Sequence, residues 1–146
     1  MKIRIRTLVK ADLQTVRAGF TDKLFLKLNP PFPPVKLRRF DGCKKGDKVG
    51  LELNFIFFKQ TWESVITHDL TNETVFSFVD EGVRLPFFLK SWKHHHLNEA
   101  NEAGGTSITD DIEFTTPALL TNWLLYPILY LQFLYRKPIY RKVFSK

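Results

Sequence analysis

Apolar and charged side chains alternate at the start of the chain. Ile3, Ile5 and Thr7 fall between Lys2, Arg4 and Arg6, the period of a strand with one buried face. The period then lengthens. Leu13, Val16, Phe20, Leu24 and Leu28 are spaced for helical faces, and Thr21-Asp22 offers a cap that divides the stretch into two short helices. Pro30, Pro31, Pro33 and Pro34 end them, because each ring fixes φ and denies the helical region to the residue before it.

From Val35 to Phe114 the pattern is one of successive strands divided by turn-forming segments at DGCKKGDK, HDLTNET, DEGVRLP and NEANEAGG, which predicts an antiparallel meander. Val49, Leu51, Leu53, Phe55 and Phe57 place apolar side chains at odd positions, whereas Trp62, Ser64 and Ile66 continue at even ones. The two sets share a face only if the chain turns between them, and a bend is expected near Phe58 to Gln60.

The stretch SWKHHHLNEANEAGGTSITDDIEF carries the most chemistry. On a strand, Trp92, His94 and His96 share one face while Lys93, His95 and Leu97 point the other way. In the next strand Thr106, Ile108, Asp110, Ile112 and Phe114 oppose Ser107, Thr109, Asp111, Glu113 and Thr115, and the polar second set leaves the first as the inward one. If NEANEAGG closes a hairpin, two imidazoles and the Asp110 carboxylate meet on the concave side.

Thr116-Pro117 supplies an N-cap and a proline at the first helical position, and so starts a long C-terminal helix. Leu119, Leu120, Trp123, Leu124, Ile128, Leu131, Leu134 and Tyr135 are expected to pack its faces, with a kink at Pro127 and an end or bend at Pro138. Ala118 to Tyr135 is apolar enough to raise a membrane span, but Thr121, Asn122, Pro127 and Gln132 interrupt it and the sheet upstream needs a cover. The expected element is a helix lying in the mouth of a curved sheet, without integral membrane insertion.

Composition narrows this further. A chain of 146 residues, 44% hydrophobic and 14% aromatic, fits one domain spanning 1–146 that buries a core without disulfides or metals. Cys43 is the only cysteine and the N-terminus lacks the apolar run of a signal peptide, so a reducing, cytoplasmic location is expected. The net charge of +7 invites a nucleic-acid reading, but the basic residues are spread along the chain without a recognised motif, and nucleic acid is not an expected partner. GxGxxG, P-loop, GxSxG and CxxC patterns are absent, so no cofactor is assigned and nucleotide-dependent, serine and disulfide chemistry lack support. A monomer or a homodimer fits equally well.

Three arrangements suit His94, His96 and Asp110. They form a buried polar ladder in which the carboxylate fixes imidazole tautomers. Alternatively they hold zinc or non-haem iron, for which His-x-His with one remote aspartate is a weak pattern, and no metal is assigned. The third arrangement is a His-Asp pair doing acid-base work in an apolar pocket. Phe55, Phe57, Trp62, Phe76 or Phe78, Trp92, Ile108, Ile112, Trp123 and Tyr126 are the candidate lining of that pocket.

The order of strand, two short helices, six strands and long helix resembles the helix-grip architecture of the START and Bet v 1-like superfamily. Trp62 and Ile66, Phe78 and Asp80, Pro86-Phe87, Trp92-Lys93-His94-His95-His96, Gly105-Thr106, Asp110, Phe114 and Pro117 resemble the ordered pattern of bacterial ligand-binding SRPBCC proteins. Two extra residues lie between Pro86-Phe87 and Trp92 relative to that pattern. The resemblance implies an α+β fold in which a curved antiparallel sheet of about seven strands wraps a long C-terminal helix, with two short helices between the first two strands. It also implies a cavity for a hydrophobic or amphipathic small molecule, lipid-like or polyketide-like, and in some members cyclase, dehydratase or hydrolase activity.

Overall fold

The computed structural model describes residues 1–146. Strand β1 (Lys2–Val9) is followed by α1 (Leu13–Gly19) and α2 (Asp22–Leu28). Six strands come next: β2 (Val35–Phe40), β3 (Lys48–Phe55), β4 (Phe58–Thr71), β5 (Val75–Arg84), β6 (Ser91–Ala100) and β7 (Thr106–Thr115). The chain closes with α3 (Leu119–Leu134) and α4 (Arg136–Val143). All strands pair antiparallel in one seven-stranded sheet of order β1-β7-β6-β5-β4-β3-β2, so the first strand joins the last and the rest form a meander. This is the expected α+β helix grip, with the two short helices between β1 and β2.

The alternation read from KIRIRT is realised: Ile3, Ile5, Thr7 and Val9 are buried and their neighbours exposed. Asp12, rather than an internal residue, caps α1 by accepting a hydrogen bond from the Thr15 amide at 2.8 Å. Thr21 precedes α2 as expected, though its side chain makes no capping bond. The turn between β3 and β4 falls at Ile56-Phe57, two residues before the expected bend, because Phe55 and Phe58 pair directly across a two-residue turn. The parity reversal is as read, since Leu51 lies opposite Trp62 and Leu53 opposite Gln60. DEGVRLP is not a turn throughout: β5 runs on through Asp80 to Arg84, and Asp80 pairs with both Ile66 and His94. On β7 the outer residues Ser107 and Thr109 are buried too, because small side chains in a central strand lie beneath larger neighbours, and Arg6 Nε donates to Ser107 Oγ at 2.6 Å. Gly105 sits where a Cβ would collide with the Val9 carbonyl, and Gly104 takes φ +86°, so the β6–β7 turn needs glycine at both places.

The C-terminal helix departs most from expectation. It begins at Leu119, two residues late, because the Thr116 amide and hydroxyl are engaged with Asn122 and with the Ala118 carbonyl. It breaks at Tyr135, since the Pro138 ring would clash with the Leu134 carbonyl in a continuous helix; Pro138 instead occupies the first turn of α4. Only Leu129 and Phe133 of α3 are fully buried. Leu119, Leu120, Trp123, Leu124, Leu131, Leu134 and Tyr135 are exposed, and Ile128, exposed as well, borders the cavity, so most of the residues expected to pack the helix form its outer side. No helix is long and apolar enough to cross a membrane.

Two apolar clusters flank the concave face. One joins α1, α2 and α4 to β5 and β7 through Val16, Phe20, Leu24, Phe76, Phe78, Ile108 and Tyr140. The other joins α3 to β1, β6 and β7 through Ile3, Ile5, Trp92, Ile112, Phe114, Leu129 and Phe133.

Candidate functional site

A cavity of about 460 Å³ opens between the concave sheet, α2 and α3. Its wall is mostly apolar, with Phe25, Leu53, Phe55, Ile66, Phe78 and Leu129 among the lining residues, and one end is polar, formed by Asp80, His94, His96 and Arg136.

The pleat places the histidines as the alternation requires: His94 and His96 are buried on the concave side and His95 is half-buried on the outside. Cross-strand register then assembles the rest. His94 lies between Asp80 and Ile112 in the pairing, and His96 between Phe78 and Asp110. His94 Nε2 is 2.9 Å from Asp110 Oδ1, while its Nδ1 lies 3.6 Å from Asp80 Oδ2. His96 Nε2 is 2.9 Å from that same Asp80 oxygen, and Trp92 Nε1 donates to Asp80 Oδ1 at 3.2 Å. Arg136 reaches in from the start of α4, with a guanidinium nitrogen 3.6 Å from Asp110 Oδ1 and its charge 4.3 Å over the Phe133 ring. Phe78 stacks on His96 with ring centroids 4.2 Å apart, and the two imidazoles lie 3.6 Å apart.

These contacts set the charges. Burial opposes ionisation of Asp80, but the hydrogen bond from His96 and the nearby histidine charges outweigh it and hold Asp80 below the usual carboxylate range. Burial likewise opposes ionisation of Asp110, and the bond from His94 together with the Arg136 charge holds it below that range. Burial, reinforced by the charge of His94, pushes His96 down to about 4. His96 is therefore neutral at pH 7, donating through Nε2 to Asp80, and its buried Nδ1 is without a hydrogen-bond partner. Burial raises the Tyr140 phenol, so its buried hydroxyl beside this cluster stays protonated.

His94 stands between two carboxylates. With one proton on Nε2 it donates to Asp110, and its Nδ1 lone pair then faces the Asp80 oxygen. A second proton, or a cation, in that gap removes the repulsion. Asp80, His94 and His96 each offer one ligand atom, all within 4.8 Å of one another, so three protein ligands could hold a divalent cation with a further position toward the cavity. Asp110 would then orient His94 from behind.

Of the expected lining, Phe55, Trp62, Phe78, Trp92, His94 and His96 face the cavity. Phe57 does not, because it sits at the β3–β4 turn with 95% of its surface exposed. Trp123 lies on the outer side of α3, and Tyr126 stacks on Tyr130 along its flank. Ile108 and Ile112 are buried in the two apolar clusters, and Asp110 stands behind His94 instead of lining the space. Asp80 and Arg136 do line it. Asp80 shares the parity of Phe76 and Phe78 on β5, and Arg136 follows Leu129 at helical spacing, so both stand at inward positions.

No protein-family model matches the sequence, and no curated protein is detectably similar to it in sequence. Solved structures are similar in fold. The ZhuI aromatase/cyclase from Streptomyces sp. R1128 superposes with a TM-score of 0.72 at 14% identity, covering 94% of this chain and 89% of that one. The chain shares with these structures the helix-grip, Bet v 1-like fold. Norcoclaurine synthase from Thalictrum flavum, in complex with dopamine and hydroxybenzaldehyde, gives 0.60 at 10% identity over 95% of this chain and 86% of that one. Ara h 8.0201 gives 0.58 at 13% identity, covering 95% and 96%.

Proposed function

We propose that this SRPBCC-fold chain binds an amphipathic small molecule, its apolar body among the aromatic side chains and its polar group at Asp80, His94, His96 and Arg136. The observation that carries this reading is the cluster of charged and imidazole side chains in the wall of a mostly apolar cavity of about 460 Å³. Arg136 lines the cavity with its charge only partly met by Asp110 at 3.6 Å, so the polar group of an amphipathic ligand meets a cation at this wall that a wholly apolar ligand does not use. Bound aromatic molecules in a structure of the same fold support the cavity as a ligand site.

Native mass spectrometry of protein purified from its own cells, followed by solvent extraction, tests this directly. The expected result is a non-covalent adduct of one molecule per chain, or uptake of a hydrophobic dye that a ligand displaces with quenching of Trp92. A protein that carries nothing and takes up no dye overturns the reading.

A second reading rests on His94 alone. Held between two carboxylates at the cavity wall, it is placed to pass a proton to or from a carbonyl substrate, as a cyclase or dehydratase requires. Asp80→Asn would keep the shape and remove the charge facing His94. Turnover of a bound polyketide-like compound that Asp80→Asn slows at least about 100-fold with binding unchanged would favour this reading over simple binding.

A further inference from the structure

The outer side of α3 is as apolar as its inner side. Leu119, Leu120, Trp123, Leu124, Leu131 and Tyr135 are exposed, with Leu120 at 71%, Trp123 at 65% and Leu131 at 64%. A helix that only closed a cavity would turn a polar face to water. Contiguous apolar surface of this extent marks a contact surface.

Charge selects the partner. From Thr115 to Lys146 the chain contains no aspartate or glutamate, while Arg136, Lys137, Arg141, Lys142 and Lys146 follow directly on the apolar helix. Arg141, Lys142 and Lys146 are exposed. A second copy of this chain meeting the same face would set these cations against their own kind. The apolar strip is also convex, being the outside of a helix, so it offers no groove to a peptide. An anionic bilayer surface needs no matching shape, takes leucine and tryptophan into its acyl boundary and attracts lysine and arginine to its headgroups. Sixteen residues span about 24 Å, less than the hydrocarbon thickness, so the helix lies along the surface.

We infer that α3 and α4 dock on an anionic membrane surface, α3 immersing its outer face at the acyl boundary and α4 meeting the headgroups. The cavity opens beside this face: Ile128 of α3, Leu26 of α2 and Phe32 line it and are also exposed, at 53%, 49% and 56%. Docking therefore brings the mouth toward the bilayer. If the cavity binds an amphipathic molecule, as proposed above, that molecule is drawn from or delivered to a membrane; only this consequence depends on the cavity reading.

Co-sedimentation with phosphatidylcholine vesicles, with and without phosphatidylglycerol, tests the docking. The expected result is binding to the anionic vesicles that weakens with salt, with a blue-shifted Trp123 contribution obtained by difference from Trp123→Phe. Leu124→Glu with Leu131→Glu should lower the partition coefficient at least about tenfold. Arg141→Gln with Lys142→Gln should lower it about thirtyfold and leave the fold untouched, which keeps the test open if the leucine variants misfold. Absence of vesicle binding, binding indifferent to phosphatidylglycerol and salt, or a dimer in solution that Leu131→Glu dissociates would each overturn the inference. Failure of ligand retention with vesicle binding intact would remove the cavity reading and leave docking standing.

Discussion

Strand β6 carries the same residue type into two environments one step apart. On its concave side, His94 and His96 are 3% exposed and meet Asp110 and Asp80. On its convex side His95 is half-buried between Val79 and Asp111 in the pairing, beside exposed Lys93 and Glu113. An imidazole in water pairs weakly and replaceably. An imidazole shut under Phe78, Phe133 and Trp92 has a fixed set of partners, and losing one leaves a desolvated group with nothing to take its place. Sequence alternation assigns the side, but the consequences come from what covers each side.

The largest effect is expected where the covering is deepest. Asp110→Ala removes the carboxylate shared by His94 and Arg136, leaving a guanidinium and an imidazole buried without it. Breaking such a pair by removing one member costs about 3–5 kcal/mol, read as a lowered urea midpoint at unchanged slope. A cost near that of an average surface change would mean the concave cluster is as replaceable as the convex one.

The second effect is a pH dependence. His96 titrates at about 4 when folded against an ordinary 6.5, so between these values the unfolded chain takes up a proton that the folded chain does not. Stability therefore falls as pH falls through the window from 6.5 to 4, by about 3 kcal/mol in all. Asp80 and Asp110 act later: their folded values lie below the ordinary 3.8, so their contribution is complete above it and is lost as pH falls through the folded values. His96→Gln keeps a donor for Asp80 and removes the titration. It should flatten the profile between pH 6.5 and 4 and leave the steeper acid limb; an unchanged profile would place the titration elsewhere.

How much of this was legible follows from which residues carry a period. Alternation is informative when one face is polar, and the polar set Asp111, Glu113 and Thr115 fixed the inward side of β7 and, through it, of β6. Asp80 carries no strand signal of its own, because Asp-Glu-Gly has the composition of a turn, whereas the β5 ladder with β6 carries the strand through it. The C-terminal helix failed for a different reason. Apolar residues surround α3, so its period does not distinguish the side that packs, Leu125, Leu129 and Phe133, from the side that does not. Through that ambiguity the pattern points to Trp123 and Tyr126, which do not line the cavity as expected, whereas Arg136, which no pattern singles out, extends the inward stripe of α3. Phe57 followed the parity of β3 one step into a turn that local pattern could not locate to the residue.

His94→Ala should come third. It leaves Asp110 with Arg136 but removes the group between the two carboxylates, at a cost of about 1–3 kcal/mol. Addition of zinc tests whether a cation fills that gap. Stoichiometric binding that raises the wild-type melting temperature and is lost in both His94→Ala and Asp80→Asn would assign a cation to it; no shift with metal would rule the cation site out.

The smallest effect is expected one residue away. His95→Ala should change stability by no more than about 0.5 kcal/mol, because its ring has no hydrogen-bond partner whose loss would strand a buried charge, and water reaches the shallow depression it shares with His68 and Asp111. Burial lowers its titration, the Asp111 carboxylate opposes that, and the group remains open to exchange with solvent. In a histidine NMR titration His95 should therefore give a resonance that moves with pH while the protein is fully folded. The His96 signal should hold its neutral position until the fold itself begins to weaken. Were His95→Ala to cost as much as His94→Ala, or His96 to titrate near 6.5 in the native state, the inward face of β6 would be misassigned. The polar end of the cavity would then have to be sought on another strand.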